Sequence, residues 1–278
     1  MSNSTDRPCA RERAGIGLSR RSLIAAGALV TTLGSTSVAN AFASSRKPKK
    51  GFEAQAPVSF GSNSNCFLRG TRLLAPAGEV AIENLSIGDL VVTHGGAERA
   101  IRWIGKIAIA RDGAAAWPEH AMPVRIAKDA FAPASPHRDL YLSRAHLLYL
   151  NGVLIPVGNL VNGRTIRAVV PEVDVMHYFH VELDGHDVLL AEGAPCDSLR
   201  ATAESRRHFD NYDEYVALFG PPAAAHMAPY APIVSFNGGR SELKSRLRSA
   251  LAPVVDIRRP MDVVRDNLEA RALLLKAA

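Results

Sequence analysis

Cys66 opens the run Cys66-Phe67-Leu68-Arg69-Gly70-Thr71, and Ser143-Arg144-Ala145-His146 and Ala191-Glu192-Gly193 follow further along the chain. A cysteine directly after a peptide bond can attack the carbonyl before it, here that of Asn65, when a nearby imidazole gives a proton to the departing amide nitrogen. The product is a thioester within the chain, and Asn65-Cys66 is the bond at risk. A thiol of ordinary pKa, about 8.5, is largely protonated at neutral pH, so a neighbouring base serves both deprotonation and proton return. His146 is the candidate for that base. Each residue also has a structural reading: Cys66 as a small buried hydrophobe, His146 as a core histidine among Leu147, Leu148 and Leu150. His94, His120, His137, His177, His180, His208 and His226 show no ligand spacing with a further cysteine or carboxylate and read as surface or structural, so no metal or cofactor is expected.

The elements that must position these residues read as strands. Short apolar runs alternate with turn signals: Thr71 to Leu74, Val80 to Ile82, Leu90 to Thr93, Ile101 to Ile104, Ile107 to Ile109, Val124 to Ile126 and Leu140 to Leu142. Further runs, Val153 to Val157, Thr165 to Val170, Tyr178 to Leu183 and Val188 to Leu190, are separated by Asn151-Gly152, Asn162-Gly163 and Asp184-Gly185, dipeptides suited to the positive φ of tight hairpins. Short strands without an intervening long helix predict an all-β domain over 66–199. Beyond it, over 200–278, the texture becomes helical. Phe209, Tyr212, Val216 and Phe219 predict a helix stopping at Gly220-Pro221-Pro222 and packed on the β domain, and 223–240 reads as loop. Leu243, Leu247 and Leu251, then Val263 to Leu275, predict two amphipathic helices separated by Pro253 and Pro260, read as a solvated appendage.

The chain has 278 residues, 47% of them apolar, enough for one sizeable core and a smaller appendage. Its net charge of +6 is local, since residues 1–65 hold nine Arg and Lys against three Asp and Glu, leaving 24 of each sign beyond. A neutral body excludes a phosphate-tracking groove, and nucleic acid is not expected as a partner. The basic start fits targeting instead. A polar stretch runs to Arg20-Arg21, a modestly apolar one from Leu23 to about Ala41 ends in Ala41-Phe42-Ala43, and Arg46, Lys47, Lys49 and Lys50 follow. This is similar to a twin-arginine export signal over 1–43, with 44–65 as a flexible basic linker. It predicts an exported protein, periplasmic or extracellular, with the export machinery as a partner. Gly27, Thr31, Thr32 and Gly34 to Ser37 interrupt the stretch well short of the roughly 18 apolar residues of a membrane anchor.

The ordered set of motifs resembles the Hint superfamily, the autoprocessing module shared by hedgehog proteins and inteins. Cys66 to Thr71, Gly78 to Leu85 and Ile87 to Val91 resemble its opening block. Ser143-Arg144-Ala145-His146-Leu147 looks like its second block, whose usual form is Thr-x-x-His. Tyr178 to His186 followed by Val188 to Gly193 is similar to its late block. The resemblance implies a horseshoe-like all-β domain over 66–199 with a small helical C-terminal extension. It implies that His146 touches the scissile nitrogen, that Ser143 orients the site, and that His186 is a second acid or base, unless His186 only caps the Asp184-Gly185 hairpin. Because the Hint architecture brings the first residue near the end of the last strand, Cys66 and Cys196 are candidates for a disulfide, with a buried inert Cys196 as the alternative.

Two departures bound the carry-over. Inteins end in His-Asn before a Cys, Ser or Thr, whereas Gly193 here precedes Ala194-Pro195-Cys196-Asp197-Ser198, and the Asp that many inteins place after the tyrosine of the late block is Phe179. Ligation is not expected. Cleavage of Asn65-Cys66, with the chain's own N-terminal segment as substrate and water or a small nucleophile resolving the thioester, is the most these residues support. The competing reading is a non-catalytic secreted β module for attachment or interaction.

Overall fold

The computed structural model describes residues 65–113, 116–200, 202–221, 227–235 and 239–277. The leader, Arg20 and Arg21, His226 and linker residues 44–64 lie outside the described residues.

Alternating apolar patterning gives strands, in order β1 (Phe67–Leu68), β2 (Arg72–Ala75), β3 (Gly78–Ala81), β4 (Leu90–Val92), β5 (Glu98–Ala100), β6 (Trp103–Ala110) and β7 (Val124–Ile126). There follow β8 (Leu140–Leu142), β9 (Leu147–Leu150), β10 (Val153–Pro156), β11 (Ile166–Ala168), β12 (Val175–Glu182), β13 (Val188–Ala191) and β14 (Ala194–Asp197). Two six-stranded sheets result, ordered β11-β7-β8-β1-β12-β6 and β10-β9-β14-β13-β2-β3, with β4-β5 as a separate pair. The expected all-β architecture is present. Its details differ in places: the runs ending at Ile104 and Ile109 join in one long strand, β6, which begins at Trp103, and the Leu147–Leu150 segment, not among the predicted runs, is strand β9. Hairpin chemistry follows the dipeptides unevenly. Asn151 and Gly152 both adopt positive φ, 51° and 81°, joining β9 to β10, and Gly163 does so at 70°, whereas Gly185 is not among the positive-φ residues.

The main core runs between the sheets through Leu73, Ile82, Ile126, Leu142, Leu148 and Ile155. It also includes Met261, Val264 and Leu268 of the last helix, α4 (Pro260–Ala277), so this part of the extension is an integral wall and not a solvated appendage. Pro260 starts α4, where its missing N–H costs nothing. A second cluster gathers Cys66, Trp103, Ile107, Trp117, Tyr178 and Phe209 with Tyr215 of α2 (Tyr212–Phe219), which follows the single turn α1 (Ala203–Arg206). The predicted packing of this helix on the β domain is therefore realised. Gly105 on β6 allows the approach, since a Cβ there would lie 2.6 Å from the Phe209 ring. Arg206 completes the seam with bonds of 2.8 Å from Nε and Nη2 to the fully buried Glu182 carboxylate, and its guanidinium lies over the Tyr215 ring. Residues read as loop continue the wrapping, for Val234 N–H bonds Leu154 O and Leu154 N–H bonds Pro232 O, each at 2.9 Å. The remaining helix, α3 (Gly239–Leu251), packs against α4. No helix among the described residues is long and apolar enough to cross a membrane.

Candidate functional site

Strand register assembles the site. β1 is only two residues long but central in its sheet, pairing Phe67 with Leu142 of β8 on one side and Phe179 of β12 on the other. Antiparallel pairing then sets the next residue back, Cys66, beside Ser143 and His180. The Cys66 N–H donates to Ser143 Oγ at 2.8 Å, and the Ser143 N–H returns a bond to Cys66 O at 2.9 Å. His180 Nδ1 meets Asn65 O, the carbonyl of the same peptide bond. Both ends of the Asn65-Cys66 amide are thus held, the nitrogen by a hydroxyl and the oxygen by an imidazole.

The Ser-x-x-His spacing is that of a two-residue turn between β8 and β9, closed by His146 N–H to Ser143 O at 3.1 Å. Pairing of β14 with β9, Cys196 opposite Leu148, brings Asp197 to the start of β9. There its Oδ1 accepts the Leu147 N–H at 3.0 Å and lies 3.3 Å from His146 Nε2. Its Oδ2 lies 3.5 Å from His186 Nε2, and His186 Nδ1 accepts the Tyr230 N–H at 3.0 Å. The rings of His146 and His180 stack with centroids 5.0 Å apart, and Phe67 packs against His146 at 4.2 Å.

Burial sets the protonation states. It pulls His146 down to about 4, with Asp197 opposing and His186 adding to the fall, and His180 down to about 3. Burial also pushes the Cys66 thiol well above its usual range, reinforced by the Asp197 charge. For Asp197 burial acts upward, but the surrounding His146, His186 and His180 hold its carboxyl below the ordinary value. At neutral pH Cys66 is a thiol, His146 and His180 are neutral imidazoles and Asp197 is a buried carboxylate. That carboxylate, an acceptor only, lies 3.3 Å from His146 Nε2 and favours the proton of neutral His146 on that nitrogen; neither ring nitrogen makes a hydrogen bond, so Nδ1 keeps its lone pair.

All the sequence candidates on described residues lie in this region, with contacts that differ in part from those expected. Ser143, not His146, holds the scissile nitrogen, and His146 instead faces Asp197. His186 bonds the chain after α2 and reaches Asp197; it stands behind His146 and not at the scissile bond. Cys66 and Cys196 are free, buried thiols in different side-chain clusters, so the anticipated disulfide is not formed. Two residues were missed. His180, read as surface or structural, is fully buried on the carbonyl; its signal was its place between Phe179 and Val181 on a strand that is buried on both faces from Tyr178 to Glu182. Asp197 followed Cys196 as an isolated acid and carried no spacing signal.

Ala191-Glu192-Gly193 has a different job. Glu192 (φ 51°) and Gly193 (φ 79°) form the β13–β14 turn, and a Cβ on Gly193 would lie 2.9 Å from His137 Nδ1. The buried Glu192 carboxylate accepts the Arg72 N–H at 2.7 Å and pairs with Arg138 at 2.7 Å and His137 at 3.5 Å. Burial raises its pKa, with Arg72 and Arg138 opposing. Among the described residues two triads bring their ligand atoms within 4.8 Å of one another: His146, His180 and Asp197, and Glu79, His137 and Glu192. The first offers the donor set of a zinc-class cation; in the second the guanidinium of Arg138 already serves as the cation, 2.9 Å from Glu79 and 2.7 Å from Glu192. A cavity of about 280 Å³ opens at Asn65, walled among others by Leu147, Leu199, Thr202, Glu204 and His208.

The chain is similar to solved intein structures at low identity. A bacterial intein-like domain from Clostridium thermocellum matches with 14% identity and a TM-score of 0.35, covering 48% of this chain and 98% of that one. The gp41-1 intein matches with 14% identity and 0.33 over 48% and 97%, and the MchDnaB-1 intein with 14% and 0.32 over 46% and 98%. A search of the curated proteins finds no match. The profile of the Hint domain matches residues 65–203, half of the chain and the stretch that carries Asn65, Cys66, Ser143, His146, His180 and Asp197, and on this the chain belongs to the Hint domain family.

Proposed function

We propose that this domain is autoprocessing: it shifts the Asn65 acyl group from the Cys66 nitrogen to the Cys66 sulfur and so cleaves the Asn65-Cys66 bond, without splicing. The observation that carries this reading is the double grip on one amide, Ser143 Oγ on its N–H and His180 Nδ1 on its carbonyl. In the reaction Sγ bonds to the Asn65 carbonyl carbon and the carbon–nitrogen bond breaks. His180 donates from Nδ1 to the oxygen, where negative charge develops. His146 accepts the thiol proton at Nδ1 while Nε2–H stays against Asp197, and the proton passes on to the departing nitrogen, which Ser143 keeps in place. The raised thiol pKa supports a mechanism in which deprotonation accompanies attack, since no standing thiolate is available. The cavity at Asn65 admits water or a small nucleophile, whose attack on the thioester releases the segment ending at Asn65 and restores the Cys66 thiol. Export through Arg20-Arg21 is part of the same proposal.

The test is intact mass of the purified chain over time, with and without hydroxylamine. A fragment boundary at Asn65-Cys66, accelerated by hydroxylamine and absent in Cys66→Ala, is the expected result. A folded chain that stays whole in hydroxylamine, with Cys66→Ala indistinguishable, returns the domain to a non-catalytic module.

A further inference from the structure

An amphipathic helix on a domain surface ordinarily turns its apolar stripe inward. Helix α3 does the reverse. Its inner side is polar: the fully buried Ser245 donates its hydroxyl to the Asp262 carboxylate of α4, and Arg248 reaches that carboxylate with bonds of 2.6 and 3.0 Å. Leu243, Leu247 and Leu251, four apart and so on one face, remain 60%, 56% and 52% exposed. Val254, Val255 and Ile257 extend the apolar surface into the next turn, each more than half exposed. Rotating α3 to hide the leucines would strand the buried Asp262 carboxylate without Ser245 and Arg248, so the outward stripe is built in.

The surroundings of the stripe select its partner. Residues 239–259 carry Arg240, Lys244, Arg246, Arg248, Arg258 and Arg259 against only Glu242 and Asp256. Among the described residues Arg240 and Lys244 are exposed and have no carboxylate partner. The leucines stand as a ridge between two clefts, one walled by Glu242 and Arg246, the other by Lys244 and Arg248. A second copy would set cations on cations, and the chain's own first 65 residues, nine basic against three acidic, would meet the same repulsion. A ridge offers no groove for a partner helix. A bilayer surface yields to a ridge, takes the leucines to the acyl boundary and pairs the cationic rim with lipid phosphates.

We infer that α3 and the turn after it are a docking surface for an anionic lipid bilayer, with the helix lying in the membrane plane. The inference is independent of the cleavage chemistry, and a Cys66→Ala background keeps the chain whole for the test. The full chain in that background is sedimented with vesicles of phosphatidylcholine plus phosphatidylglycerol, and with phosphatidylcholine alone. Binding is expected only where phosphatidylglycerol is present, and is expected to weaken with salt. Leu243→Ser with Leu247→Ser is expected to lower partitioning by about 10- to 100-fold, the scale of two half-exposed leucines losing apolar burial. Arg240→Glu with Lys244→Glu is expected to abolish the preference for phosphatidylglycerol, and unchanged circular dichroism and melting in both variants show that the fold is kept. The inference is overturned by absence of binding to the anionic vesicles, by equal partitioning of the leucine variant, or by a dimer that the leucine variant abolishes, which would place a second copy on this face.

Discussion

Asp197→Asn removes one charge and almost no volume from the site, and its consequence can be worked from the contacts. His146 Nε2 lies 3.3 Å from the carboxylate, whose charge favours the proton on that nitrogen and leaves Nδ1 as the base. His186 is constrained too: its Nδ1 receives the Tyr230 N–H, so its own proton sits on Nε2, 3.5 Å from Asp197 Oδ2. An asparagine can keep the Leu147 N–H bond only by presenting its NH₂ to His186, where donor meets donor. The larger loss is the negative charge that steadies His146 as it takes up the thiol proton. At 3.3 Å and an effective dielectric of about 20, that attraction is about 5 kcal/mol. Fully expressed, it would slow the step by nearly four decades; partial rearrangement brings the expected loss to about 10³-fold, within the range for a positioned acid or base. The assay is the rate of Asn65-Cys66 cleavage by intact mass, with melting temperature as the control for folding. A folded Asp197→Asn chain that cleaves within about threefold of the parent refutes the argument that this carboxylate sets the His146 base.

His180→Phe keeps ring volume but removes the donor on Asn65 O; cleavage should fall about 10²- to 10³-fold while the domain stays folded, and an unchanged rate removes the oxyanion role. Acid should destabilise the fold, because His146 (about 4) and His180 (about 3) titrate lower than the ordinary 6.5. The unfolded chain then binds more protons in that window, and stability present above pH 6.5 is lost as the pH falls toward about 4, with a limiting slope of about 2.7 kcal/mol per pH unit for two groups. Chemical denaturation across this range checks the sign, and a flat profile contradicts it. Gly105→Val would drive a side chain into the Phe209 ring; a loss of about 1–3 kcal/mol and faster proteolysis just after Arg200 are expected.

Legibility in the sequence followed the range of the interaction. Apolar alternation exposed most strands, and Asn151-Gly152 fixed its hairpin, because these depend on neighbours a few residues away. β14 went unseen because Ala194-Pro195-Cys196-Asp197 has neither alternation nor β-branched residues; it is a strand because a two-residue turn folds it back on β13 and its far side pairs with β9. The helices at 212–219, 239–251 and 260–277 were visible as periodicity, but which side of each faces the domain was not. For α4 a periodic apolar face meets the core. In α3 the same kind of pattern points outward, because one buried carboxylate on the neighbouring helix overrides four-residue spacing.

The same distinction separates the two halves of the site. Cys66, Ser143 and His146 were legible because they lie in short motifs that resemble the opening and second Hint blocks, whose spacing a strand start and a turn tie to local geometry. His180 and Asp197 arrive only through register: Phe67 opposite Phe179 sets His180 beside the scissile carbonyl, and Cys196 opposite Leu148 sets Asp197 beside His146. A shift of one residue in either pairing would turn these side chains to the opposite face of their sheets. The apolar residues flanking them, Phe179 and Val181 on β12 and Cys196 on β14, are buried in the main core. Core packing on one face of a strand therefore holds the polar residue on its other face in place, and this is how a thiol, two neutral imidazoles and a carboxylate stay together in a buried site.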